Sequence, residues 1–230
     1  MSKRAWIIFG VICFAVLGGL VYLSTRNRTD VSNIDTNSIL KASKDSGEIA
    51  DQVFGKKDSK VVLVEYGDYQ CPGCGSAYPT VKKITEKYKD QVAFVFRNFP
   101  IASKHPNARA AASAAEAAGL QGKFWEMHNV LYENQSAWEN LSTTDRGPAF
   151  ISYALQLGLN EEQFKKDMDG ANVSQKINFD QAVGKKAGAD ATPTFTLNGK
   201  KLGEQDWSTE EAFENKLKDE MKANNIPIPE

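Results

Sequence analysis

Two of the three cysteines in this 230-residue sequence, Cys71 and Cys74, stand three positions apart in Cys71-Pro72-Gly73-Cys74. A thiolate, not a thiol, attacks a disulfide, and two sulfurs one helical turn apart can bridge, so the pair can cycle between dithiol and disulfide. The same spacing also suits an inert disulfide or half of a zinc site. Zinc needs two further ligands, and the only histidines, His105 and His128, lie at separations that fit no common finger pattern. Three cysteines are too few to staple a miniprotein, which leaves redox chemistry as the leading reading.

The elements that must position the pair are legible on either side of it. Val61-Val62-Leu63-Val64 is a continuous apolar run suited to a strand buried on both faces, and Tyr78, Val81, Ile84, Thr85 and Tyr88 recur at helical spacing. The cysteines therefore fall where a central strand ends and a helix begins. There Cys71 can receive unpaired backbone N–H groups and the positive end of the helix dipole, while Cys74 points into the domain. Cys71 is the expected exposed nucleophile and Cys74 its resolving partner.

A second strand is expected at Val92-Ala93-Phe94-Val95-Phe96, followed by about 90 residues of helical signal with no strand between. Pro106 opens an alanine-rich helix from Asn107 to Ala118. Phe124, Met127, His128 and Leu131 mark another helical face, Pro148 to Leu157 a third helix, Asn160 a capped short one, and Ser174 the start of one running to Gly188. Phe124 and Trp125 read as core, and His105 as a loop or capping residue. Thr194 to Leu197 is strand-like, and Asn198-Gly199 signals a type I′ hairpin. Ser208 and Glu211 then offer a capping box for a last helix carrying Phe213, Leu217 and Met221.

Composition sets the frame. Hydrophobic residues at 41%, charged residues at 25% and a net charge of -1 exclude disorder throughout and argue against a nucleic-acid binder. The charge is unevenly spread: residues 1–26 contain no Asp or Glu, and the remainder carries a net of -4. Ala5 to Leu23 is uncharged and about 28 Å long as a helix, close to a bilayer core of about 30 Å. With no good small-x-small cleavage site, residues 1–26 read as an uncleaved membrane anchor of one transmembrane helix, ahead of a cleaved signal peptide or a buried soluble helix. Lys3 and Arg4 on one side balance Arg26 and Arg28 on the other, so its orientation stays open. Residues 27–48, rich in Ser, Thr, Asn, Asp and Lys, read as a flexible linker.

Five segments in order, VVLVEYGDYQCPGC, FRNFP, HPNARAAASAAEAAG, KFWEMHNVLYENQ and ATPTFTLNG, resemble the DsbA-like family of thiol:disulfide oxidoreductases. The resemblance implies an α/β, thioredoxin-like fold over residues 49–225, with an inserted α-helical domain at about 104–172. It implies that Pro193 is cis and faces the cysteines, that Thr192 presents its backbone to a substrate peptide, and that Pro72 and Gly73 line that site and tune its potential. Strongly oxidising members often carry histidine where Gly73 stands, so a less oxidising couple is expected here. Glu65 stands where the family places a buried acid that could take the proton from Cys74; the other reading is a solvent-exposed carboxylate at a strand end.

The implied activity is that of a dithiol oxidase, a monomer held at the cell membrane by a single pass, its catalytic domain extracytoplasmic. It would use no bound cofactor and no metal, take reduced exported proteins as substrates, and be reoxidised by a membrane quinone reductase of the DsbB or VKOR type. A disulfide reductase or isomerase, and a tethered chaperone or binding module, are the alternatives.

Overall fold

The computed structural model describes the backbone of residues 3–26 and 29–229 and, on the first of these stretches, the side chains of Trp6 and residues 9–19. The chain divides into a unit ending at Asp30 and one beginning at Val31. The first contains α1, Lys3–Arg26. Among the described residues no helix is long and apolar enough to cross a membrane. The span expected from Ala5 to Leu23 thus falls partly outside the described side chains. Within it Trp6, Phe9, Val11, Ile12 and Phe14 are exposed.

The second unit is built on a five-stranded sheet in the order β1-β3-β2-β4-β5. Its strands are β1 (Gln52–Gly55), β2 (Val62–Gly67), β3 (Ala93–Asn98), β4 (Thr194–Leu197) and β5 (Lys200–Lys201). β2 runs parallel to β3 and antiparallel to β4, and every residue of β2 and β3 is buried. Alternation along the β2 segment sorts its side chains. Val61 and Leu63 pack with Phe195, with α2 (Pro72–Lys87) through Val81 and Ile84, and with α9 (Glu210–Ala223) through Phe213, Leu217 and Met221. Val62, Val64 and Tyr66 face the other layer, where α8 (Ala171–Lys186) contributes Phe179 and Val183. Glu65 continues the row of Val61 and Leu63 and so lies on the face covered by the C-x-x-C helix.

Between β3 and α8 come α3 (Ala108–Leu120), α4 (Phe124–Glu133), α5 (Gln135–Trp138), α6 (Arg146–Gln156) and α7 (Glu161–Met168). All the alanines of α3 except the half-buried Ala110 are buried almost completely, which lets Met127, Trp138, Phe150 and Phe164 of neighbouring helices close over them. This core is continuous with the cysteines, since Tyr69, Cys71, Cys74 and Phe96 belong to the same cluster. Phe124 is buried within it and Trp125 packs at its edge.

Several expectations need correcting. Residues 31–48 are not a free linker but are strapped to the second unit. Arg97, fully buried, donates to the carbonyls of Thr36 (2.8 Å) and Ser38 (2.7 Å), while Lys186 donates to those of Val31, Ser32 and Ile34. Arg97 also meets Asp51 at 2.7 Å, and Lys176 bridges Asp51 and Asp180 at 3.2 and 2.6 Å. Composition misleads here because backbone carbonyls, which composition does not report, satisfy the buried Arg97, whose charge a core must pair, and the exposed Lys186. Strand β1 carries no readable period in four residues, and its identity comes from pairing with β3. The last helix is capped by Thr209, which accepts from the Ala212 N–H at 3.2 Å, rather than by Ser208. Past residue 225, Ile226 and Ile228 still pack on the core.

Candidate active site

Cys71 is the N-cap of α2, with Pro72 at the first helical position, where its missing N–H costs nothing. The nucleophile is less open than the sequence suggests: Cys71 is 8% exposed and Cys74 fully buried. Both are free thiols. The Thr192-Pro193 peptide is cis, and the Cys71 thiol donates to the Thr192 carbonyl at 3.2 Å, across 121 residues of sequence. A β-carbon added at Gly73 would lie 3.3 Å from Pro193 Cδ and 3.7 Å from Cys71 Sγ, so Pro72-Gly73 closes against the proline loop. Cys71, Gly73, Thr192 and Pro193 are thus brought together.

The two sulfurs sit in opposite electrostatic settings. Cys71 is pulled down to about 5 from its usual 9.0, first because the Cys74 thiol donates to it, and then through the Thr192 hydroxyl and the backbone N–H groups of Cys74 and Gly73, against desolvation. Those N–H groups make no capping bond to the neutral thiol but lie close enough to hold a thiolate. Cys74 is pushed well above its usual range, chiefly by burial, then by its bond to Cys71 and the nearby Glu65. One sulfur is therefore ionised at neutral pH and the other protonated, as a nucleophile and a resolving thiol require.

Glu65 is 3% exposed, which disposes of the solvent reading. Burial first, and the Cys71 charge second, raise it to about 8, so at neutral pH it holds a proton beside Cys74. The Thr192 hydroxyl is buried and accepts or donates no hydrogen bond. It is poised to donate to the thiolate. Thr192→Val, which keeps the shape and deletes that donor, is expected to raise the Cys71 pKa by about one unit, read from the pH dependence of alkylation. An unchanged midpoint would remove the hydroxyl from the site.

Sequence reasoning passed over Gln135. From α5 its side-chain amide donates to the carbonyls of Tyr69 (2.7 Å) and Cys71 (3.0 Å), clamping the entry to the C-x-x-C helix from the inserted domain. A β-carbon at Gly75 would collide with its Oε1, so the clamp needs glycine there. No local signal marks a contact 64 residues apart. His128 was legible only as a helical face; it lies 3.0 Å from the Tyr69 hydroxyl, and burial lowers it to about 3, keeping it neutral. Among the described residues no group of three or more His, Cys, Asp or Glu side chains could hold a metal ion.

A family model described as Thioredoxin matches residues 48–219, about three quarters of the chain. Among solved structures, BdbD of Bacillus subtilis superposes with a TM-score of 0.65 at 26% identity, covering 80% of this chain and 98% of that one. A thioredoxin-like oxidoreductase from Silicibacter pomeroyi gives 0.60 at 26% identity, covering 75% and 92%. The α-DsbA1 protein of Wolbachia pipientis, at 21% identity and a TM-score of 0.64, covers 74% and 89% and shares the fold. Curated relatives carry a different name: a protein named Na(+)/H(+) antiporter NhaA 1 in Mycolicibacterium vanbaalenii is 37% identical over 151 residues, which is 65% of this chain and 23% of that protein. The chain spans about a quarter of the length of such relatives. With its thioredoxin sheet, helical insertion and paired thiols of opposite character, the chain belongs to the Thioredoxin family and shares the fold of α-DsbA1.

Proposed function

We propose that this protein is a dithiol oxidase that passes its Cys71–Cys74 disulfide to exported proteins. The observation that carries the reading is the split between the thiols, with Cys71 held near 5 and Cys74 held well above its usual range. A substrate thiolate attacks Cys71 Sγ, and the Cys71–Cys74 bond breaks. Cys74 leaves as a thiolate and takes a proton from its surroundings, where Glu65 is a buried acid that acts on it. A second substrate thiolate then attacks the substrate sulfur of the mixed disulfide, expelling Cys71. A sulfur of pKa about 5 is a good leaving group, so electrons flow toward the enzyme. Thr192 and Pro193, with Pro72 and Gly73 opposite, would seat an extended substrate segment, and no bound cofactor is needed.

In this reading α1 anchors the chain in the cell membrane, the catalytic unit works as a monomer on the extracytoplasmic side, and a quinone reductase of the DsbB or VKOR type restores the disulfide. The 24-residue length of α1, about 36 Å, and its uncharged sequence from Ala5 to Leu23 support the anchor. Cation exchange is not proposed. A 151-residue match must include much of the thioredoxin-like region, and it spans only 23% of the antiporter named.

The test is the reduction potential. Relative to a thioredoxin-like thiol of pKa about 7, a thiol of about 5 stabilises the reduced form at pH 7 by about 2.3 kcal/mol, which places the couple on the order of 50 mV above thioredoxin's value of about -270 mV. A potential at or below thioredoxin's, with no oxidation of a reduced protein substrate, would sink the oxidase reading and favour a reductase.

A further inference from the structure

The segment joining β2 to α2 contains a carboxylate whose connections are denser than a loop requires. Asp68 is fully buried. Its Oδ1 accepts the Gln70 N–H at 2.8 Å, and its Oδ2 accepts both the Ile101 N–H at 2.8 Å and the His105 ring nitrogen Nδ1 at 2.7 Å. The Asp68 backbone meets both cysteines: its N–H donates to Cys74 Sγ at 3.5 Å, and its carbonyl accepts the Cys71 N–H at 3.0 Å. His105 is the outermost member, its side chain 17% exposed.

From this geometry we propose that Asp68 and His105 are a positioning pair for Cys74, fixing the backbone N–H that stabilises the Cys74 thiolate as it forms during resolution. The inference rests on the reading of Cys71–Cys74 as a redox couple. The groups facing Cys74 are Cys71 on its own helix, Glu65 on β2, Asp68 on the loop and Tyr132 on α4. Among these the Asp68 N–H is the contact that favours the charged sulfur, since burial, Cys71 and Glu65 all oppose it. A buried carboxylate stripped of its His105 donor is less well satisfied and free to turn, and its backbone N–H is then less firmly held against Cys74. This acts against the Cys74 thiolate. The Cys71 thiolate draws on other donors, those of Cys74, Gly73 and Thr192.

The step tested is an exchange in which Cys74 sulfur attacks Cys71 sulfur in a mixed disulfide. The new Cys71–Cys74 bond forms, the bond from Cys71 to the outer sulfur breaks, and the outer thiol departs with the electron pair. The protein dithiol is oxidised and the reagent disulfide reduced. Reaction of the reduced full-length protein carrying Cys13→Ser, which removes the third free thiol, with 5,5′-dithiobis(2-nitrobenzoate) separates the events, because Cys71 attack releases a first coloured thiolate and Cys74 attack a second.

His105→Ala is expected to slow the second release about tenfold and to move its pH midpoint upward, leaving the first release within about twofold of the parent. His105→Asn, which keeps a donor near the Nδ1 position, is expected to recover most of the second rate, and Asp68→Asn to behave like His105→Ala. An unchanged second phase, or both phases slowed by one common factor in each variant, would overturn the pair's role. Release of only one equivalent by the parent would instead overturn the redox reading beneath it.

Discussion

Cys71→Ser is expected to abolish thiol–disulfide turnover, whereas Cys74→Ser should trap substrates as mixed disulfides through Cys71. The asymmetry follows from the site. Only Cys71 has donors arranged to hold a thiolate near pH 7, and Cys74, fully buried, can reach no outside disulfide. The leading cause of the low Cys71 pKa is the hydrogen bond from the Cys74 side chain. Serine at 74 retains an O–H donor, so Cys71 should stay acidic and reactive in that variant. Alanine at 74 removes the donor and should raise the Cys71 midpoint by about one unit or more. The checks are mass analysis of trapped adducts and the pH dependence of iodoacetamide alkylation. Equal adduct yields from the two serine variants would overturn the assignment of roles.

Glu65→Gln should stabilise the protein and slow it. A carboxylic acid held at about 8 in the folded chain, against 4.5 when exposed, binds its proton more tightly when folded. Stability contributed by this group is therefore lost as pH rises from about 4.5 to about 8. At full ionisation the penalty is about 5 kcal/mol. Glutamine carries no such penalty, so the variant's advantage in urea denaturation should grow across that pH window and level off above it. The same change removes the group placed to exchange a proton with Cys74, and steps that form or consume the Cys74 thiolate should slow on the order of 10²-fold. A stability difference independent of pH would show that Glu65 is not a buried acid. Gained stability with no loss of rate would show that Cys74 finds its proton elsewhere. The acid is a place where the fold gives up stability for chemistry.

Much of this was written into local sequence. The run at residues 61–64 and the helical period beyond Cys74 place the thiols at a strand-to-helix junction, because burial on two faces and burial on one leave different periods. Asn198 and Gly199 both have positive φ, which Asn tolerates and Gly, lacking a Cβ, adopts freely, and Asn160 caps its helix by accepting from the Gln163 N–H. Polar composition misled at residues 31–48, where backbone carbonyls, which have no sequence signature, satisfy Arg97 and Lys186. Asp68 did carry a hint: an Asp that accepts from the N–H two residues on is an Asx turn, a reading its short polar side chain allows.

The sequence by itself determined that two thiols sit one turn apart at a helix start, with an acid six residues before them and a Thr-Pro far downstream. These depend on spacing and on intrinsic backbone preference, which are local properties. Tertiary structure decided how far apart the two sulfurs stand in acidity, because that depends on what surrounds each one: the Thr192 loop brought to Cys71 across 121 residues, and the burial of Cys74 beside Glu65. Charge on a sulfur is priced by its donors and its distance from water. Only the folded chain sets either one.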